Sequence, residues 1–168
     1  QDLDSLLRYL EQRIARAFRT KIRPSDHWDD AIGAKDNLTY FIEDALLTDS
    51  DASFQLIFDE ADRVFSQPYR DDFFSTVRGW HNLRATNDDW QRVNIVIGHS
   101  TSPHLWIQDV NQSPFNVGYR IRLEDFNAGQ LAELVKTYGV TLSDAEMDSL
   151  LELVGGHPYL VRLVLYNL

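Results

Sequence analysis

A chain of 168 residues with a formal charge of −10 and no cysteine narrows its own function before any motif is read. It is the size of one ordinary domain and long enough to bury a core. Its acidic balance argues against a nucleic-acid-binding surface, which is normally basic, and the missing cysteines exclude a disulfide framework and thiolate chemistry, as suits a reducing cytoplasm. No apolar run approaches a membrane span, and the amino terminus is charged rather than signal-like. The chain begins without Met inside an amphipathic pattern, as a fragment would. The basic residues Arg13, Arg16, Arg19, Lys21 and Arg23 read as a solvated helix end.

From Asp2 to Phe18, the residues Leu3, Leu6, Leu7, Leu10, Ile14 and Phe18 recur at helical spacing and predict an amphipathic helix. Lys21 to Lys35 carries Pro24, Gly33 and Asp26-His27-Trp28-Asp29-Asp30, and reads as a loop or short helical turn. His27 there reads as a solvated side chain among surface carboxylates rather than as a metal ligand. A second helix follows, capped by Asp36, with Leu38, Phe41, Ile42, Ala45 and Leu46 inside. After the polar turn Thr48 to Ser53, Phe54 to Phe58 reads as a strand of a parallel sheet buried on both faces. Pro68 predicts a helix start, with Phe73, Phe74, Val77 and Trp80 as the apolar face, and Asn87-Asp88-Asp89 breaks that pattern.

Val93 to Ile97 predicts the next strand, ending at Gly98-His99-Ser100-Thr101. A short helix over Pro103 to Val110, a turn-rich loop over 111–118 and a third strand over Tyr119 to Leu123 follow. Asn127 caps a helix with Leu131, Leu134 and Val135 inside and Gly139 closing it. Ser143 and Glu146 form a capping box for a helix that runs to Val154 and stops at Gly155-Gly156. Pro158 opens the last helix, with Leu160, Val161, Val164 and Leu165 buried. Strands alternating with helices, then helices alone, predict the α/β class: a core over residues 1–123 and a small helical lid over 124–168.

Chemistry is expected at Asp59 and Glu60, because sites in open α/β sheets lie beyond the carboxyl ends of the strands. An apolar strand followed by Asp-Glu is the Walker B arrangement of P-loop NTPases, in which the Asp holds Mg²⁺ and the Glu orients or deprotonates a water. Taken alone, the two carboxylates could equally begin a loop or cap a helix. Four blocks add to them: Leu-Ile-Phe-Asp-Glu-Ala-Asp-Arg-Val-Phe (56–65), His-Ser-Thr (99–101), Asn-Gln-Ser-Pro-Phe-Asn-Val-Gly (111–118) and Gly-Gly-His-Pro-Tyr-Leu-Val-Arg (155–162). In this order they resemble the AAA-like domain of bacterial, often cyanobacterial, STAND-type ATPases. Asp-His-Trp-Asp-Asp…Gly-Ala-Lys (26–35) and Tyr-Phe-Ile-Glu-Asp (40–44) extend the resemblance over most of the chain.

The resemblance implies a partial P-loop NTPase sheet with flanking helices, and ATP and Mg²⁺ as cofactors. It makes Asp59 the metal-associated carboxylate and Glu60 the water-positioning one. His99 and Ser100 fall where the γ-phosphate is sensed. Gly156, His157 and Pro158 fall where a lid turn meets the nucleotide base, and Arg162 is a candidate for reaching a phosphate. The partners implied are ATP or ADP in the intact parent and neighbouring signalling or effector domains; the sequence itself speaks against a membrane and, through its acidic charge, against nucleic acid. Arg63, Arg70, Arg78 and Arg84 are equal candidates for an arginine finger.

The departure is the Gly-x-x-x-x-Gly-Lys-[Ser/Thr] loop, which these residues do not contain. In the family it lies upstream of what is here residue 1. Without it the chain is expected neither to bind ATP tightly nor to hydrolyse it, and to self-associate through an unpaired sheet edge. Three other readings compete. Asp-Glu-Ala-Asp-Arg also matches motif II of DEAD-box RNA helicases, with His99-Ser100-Thr101 echoing their Ser-Ala-Thr; the acidic charge and the helical carboxyl-terminal part oppose this. A non-catalytic interaction module of ATPase-like shape is the alternative from another class. A metal-dependent hydrolase built on Asp59, Glu60, His99 and His157 lacks ligand spacing.

Overall fold

The computed structural model describes residues 2–48, 50–103, 107 and 113–168. It divides into two compact units, Gln1–Tyr119 and Arg120–Leu168. In the first, α1 (Leu3–Phe18) starts where the Asp2 side chain accepts from the Ser5 N–H at 2.8 Å, and ends at Arg19 in the left-handed region, φ 53°. Its buried face holds Leu7 and Ile14, with the carboxylate of Glu11 between them. The short α2 (Pro24–His27) follows, then α3 (Ala34–Ile42). Gly33, not Asp36, occupies the amino-terminal cap of α3, and Asp36 is its third residue. The helix tightens no further but widens into a π-helical turn, Glu43–Leu47, which carries Leu46 and Leu47 into the core.

Two parallel strands, β1 (Phe54–Phe58) and β2 (Val93–Ile97), pair from Phe54 opposite Val93 to Phe58 opposite Ile97. The expectation of a sheet buried on both faces fails. Phe54, Leu56, Phe58, Val93, Ile95 and Ile97 pack on the core, whereas Ile57 and Val96, paired on the other face, are 64% and 42% exposed. A continuous apolar run tells how a strand is composed, not which of its faces is covered.

Between the strands lie α4 (Asp62–Phe65), α5 (Arg70–Leu83) and a 3-10 turn, Asp88–Arg92. Pro68 does not open α5; it sits in the turn before it. Phe73, Phe74, Val77 and Trp80 are the buried face of α5, as their spacing predicts. The two tryptophans below the sheet, Trp80 and Trp90, stack at 6.1 Å and are fully buried. Each donates its indole N–H, Trp80 to the Thr39 hydroxyl at 2.9 Å and Trp90 to Glu43 at 2.7 Å. Such buried rings contribute on the order of 3–5 kcal/mol each, and satisfied N–H groups remove the penalty of burying them. The helix expected over Pro103 to Val110 lies almost wholly outside the described residues, as do Asn111 and Gln112. A 3-10 turn, Pro114–Asn116, closes the unit.

No strand forms over Tyr119 to Leu123. Tyr119, Ile121 and Leu123 are 94%, 78% and 90% exposed, so the alternation with Arg120 and Arg122 is present in sequence without a strand among the described residues to pair with. In the second unit, α6 (Ala128–Thr137), α7 (Asp144–Val154) and α8 (Pro158–Tyr166) enclose Leu131, Val135, Leu150, Val161 and Leu165. Both α6 and α7 start with reciprocal capping boxes, Asn127 with Gln130 and Ser143 with Glu146. Leu160, expected inside, is 40% exposed.

Candidate functional site at the strand ends

The carboxyl ends of β1 and β2 are joined by backbone bonds that the strand ladder alone would not supply. The Gly98 N–H donates to the Phe58 carbonyl at 2.8 Å, and the Ala61 N–H donates to the Gly98 carbonyl at 2.9 Å. Asp59 and Glu60 therefore bulge outward at the sheet's rim, both exposed. Glu60 has φ +52°, a left-handed conformation that costs a non-glycine residue about 1 kcal/mol or more. Its N–H donates to Asp59 Oδ1 at 2.9 Å. A Cβ on Gly98 would come within 2.9 Å of that same oxygen, so the absence of a side chain there leaves the Asp59 carboxylate its place. The Glu60 carboxylate pairs at 2.6 Å with Arg63, the second residue of α4.

The residue that organises the rim is Asp62, which sequence reasoning passed over. Its carboxylate accepts from the Ser100 N–H at 3.0 Å, the Ser100 hydroxyl at 3.2 Å and the Thr101 N–H at 2.6 Å. Partial burial works to raise this carboxyl, but the donors of Thr101 and Ser100 outweigh it and hold Asp62 below the usual carboxylate range. The signal was available as a second Asp three residues after the first, facing a Ser-Thr pair at the next strand's end.

Ser100 is thus engaged with Asp62 rather than turned into open space. His99 is exposed and bonds the Thr101 carbonyl through Nδ1 at 2.9 Å; a carbonyl can only accept, so Nδ1 carries the proton. Its ring meets Phe115 edge-on at 5.1 Å, and Phe115 in turn packs on Phe74 at 5.2 Å. The 113–116 stretch is held to α5 by Arg78, whose guanidinium donates to the Ser113 carbonyl at 3.1 Å and to the Asn116 side chain. Of the four arginines with equal standing in the sequence, Arg78 and Arg84 are tied to carbonyls of their own fold, Arg84 to that of Val93. Arg63 is tied to Glu60, and Arg70 lies 3.9 Å from Asp71.

Gly156, His157, Pro158 and Arg162 lie in the second unit, the first three where α7 gives way to α8 and Arg162 in the middle of α8. Gly156 has φ +75°, and a Cβ there would run into the Phe126 carbonyl. The Phe126 N–H donates to the Gly156 carbonyl at 2.9 Å, so the turn and the lead-in to α6 form one joint. Pro158 is the first residue of α8, where its missing N–H has no partner to lose. His157 and Arg162 are exposed.

Magnesium is typically held by one or two carboxylates together with substrate phosphates and waters. Asp59 suits such a role: it is exposed and spends one oxygen on Glu60. Among the described residues no group of three His, Cys, Asp or Glu side chains could hold an ion by itself.

The model of the AAA-like domain family matches residues 1–168. The chain belongs to the AAA-like domain family. The chain is also similar to an uncharacterised WD repeat-containing protein of Synechocystis, 31% identical over 131 residues. That match covers 76% of the chain but 11% of the relative, so the chain spans a small part of the curated relative it matches. No solved structure matches. The AAA-like match points to a nucleotide-binding, ATPase-type kind of module, and among the described residues no helix is long and apolar enough to cross a membrane.

Proposed function

We propose that this AAA-like domain is part of a nucleotide-controlled switch of the STAND kind, carrying its Walker B carboxylates and γ-phosphate-sensing loop. The observation that supports this reading best is the rim: Asp59 and Glu60 directly follow one parallel strand, His99 lies two residues past the end of its neighbour, and Asp62 bonds the two ends together. In this reading Asp59 would hold Mg²⁺, whose chemistry is to neutralise charge on the transferring phosphate. Glu60 orients the attacking water, for which it must leave Arg63. His99, with Nδ1 committed to the Thr101 carbonyl, keeps Nε2 as its other polar atom for a phosphate contact. The resemblance assigns Gly156, His157 and Pro158 to the turn that meets the base in such ATPases, and Arg162 is the candidate phosphate contact.

The phosphate-cradling loop is the part these residues lack. We assign it to the parent polypeptide upstream, and with it tight binding of ATP. The zero-cysteine composition suits a cytoplasmic parent. The chain alone is then expected to show no ATP turnover above background. Turnover by the purified chain, abolished by Glu60→Gln, would overturn the assignment. A non-catalytic interaction module is the second reading. A relative whose name places it among WD repeat-containing proteins, with the matched region a small share of its length, favours that reading more than it favours a free-standing enzyme.

A further inference from the structure

Away from the strand ends, the first unit buries a carboxylate that the rim does not use. Glu11, in the middle of α1, is 1% exposed, and its Oε1 has no hydrogen-bond partner. Its neighbour is His27 of α2, whose Nδ1 lies 3.4 Å from that oxygen and is itself buried without a hydrogen bond. The other ring nitrogen, Nε2, lies 3.3 Å from Asp44, in the π-helical turn. The ring stands edge-on to Phe41 of α3 at 5.3 Å. So His27 is not the solvated residue that its acidic surroundings suggest; its side chain is 13% exposed and bridges two carboxylates from two other elements.

We propose that Glu11, His27 and Asp44 form a proton-operated latch that holds α2 against α1 and the π-helical turn. With both ring nitrogens protonated, His27 donates in both directions and neutralises the buried carboxylate. A neutral ring has one N–H. If it keeps that proton toward Asp44, it turns a lone pair on an ionised, buried Glu11, and if toward Glu11, it loses Asp44. Burial already pushes the Glu11 carboxyl up, against the opposing pull of His27 and Arg8. Arg8, on the same helix, cannot take over, because it is committed to Asp4 at 2.9 Å, to Asp30 and to the face of Trp28 at 4.1 Å. In α2 itself, Asp26 is occupied by the Ser25 hydroxyl at 3.0 Å.

The next stretch is pinned independently. The buried Asn37 side chain accepts from the Asp29 N–H at 2.8 Å and donates to the Asp29 carbonyl at 2.9 Å and to the Ile32 and Gly33 carbonyls at 3.3 Å. Release of the latch therefore moves residues 23–28 and leaves 29–33 in place.

A proton NMR titration of the 168-residue chain tests this, following the His27 ring Cε1–H and the backbone amides of 23–33. The latch predicts one midpoint shared by the ring and the amides of 23–28, with the amides of 29–33 nearly unmoved. It also predicts loss of that amide response in His27→Gln. In Glu11→Gln, which keeps the shape and removes the buried charge, the ring still titrates but α2 no longer follows it. Ring titration with a silent α2 in the wild type overturns the latch. So does an undiminished α2 response in either variant; should His27→Gln fail to fold, Glu11→Gln decides alone.

Discussion

Asp62 and Glu11 show opposite ways for a carboxylate to live inside one small fold. Asp62 gathers three donors and is held ionised; Glu11 has shed its water and has one bridging histidine. The first is a stability device with a definite pH sign. Because the native Asp62 carboxyl lies below its ordinary value, the unfolded chain binds the proton more readily through that window. Its stabilisation is fully present above the ordinary aspartate range and fades as the pH falls through the native value. Asp62→Asn should thus destabilise the first unit by about 1–2 kcal/mol at neutral pH, the scale of lost charge-assisted hydrogen bonds at a partly solvated site. The deficit should shrink toward acid pH in denaturant titrations. A deficit that is constant down to low pH would mean the charge is not what the donors recognise.

At the scale of elements, the two capping boxes were legible, while the Asp36 cap and the pairings were not. Asn127 with Gln130, and Ser143 with Glu146, announce their helices by local spacing, and both boxes form. Helical periodicity likewise picked out the buried face of α5 and, with Leu7 and Ile14, part of that of α1, where it missed Glu11 and took in the exposed Phe18. The third strand was misread because alternation in Tyr119 to Leu123 states a preference, while a strand needs a partner along its edge. His27 was misread for a related reason: its partners come from α1 and the π-helical turn, distant in sequence. Asp62 escaped notice because its donors stand at another strand's end. The Gly156 joint carries a prediction at this scale. A Cβ at φ +75° against the Phe126 carbonyl should make Gly156→Ala cost roughly 2–4 kcal/mol, seen as a lowered melting midpoint. Gly139→Ala is the control: it also has φ +70° but meets nothing within 4 Å, so it should cost only the strain of about 1 kcal/mol. Equal losses would show that the Phe126 contact is immaterial.

At the scale of the whole molecule, two compact units carry different parts of the candidate chemistry: carboxylates and His99 in one, the lid turn in the other. Family membership was readable from short blocks of sequence taken in order, and the Asp-Glu strand from one contiguous run. Which face of the sheet is covered was not, since Ile57 and Val96 are as apolar as the residues that face the core. The central claim is that this domain holds the carboxylates and sensing loop of a switch whose phosphate loop lies upstream in the parent. Calorimetric titration of ATP with Mg²⁺ tests it most directly, on this chain and on the same chain extended upstream. The account predicts binding by the extended form only, weakened when Asp59 is replaced by Asn. Equal binding by both forms, or none by either, would contradict it.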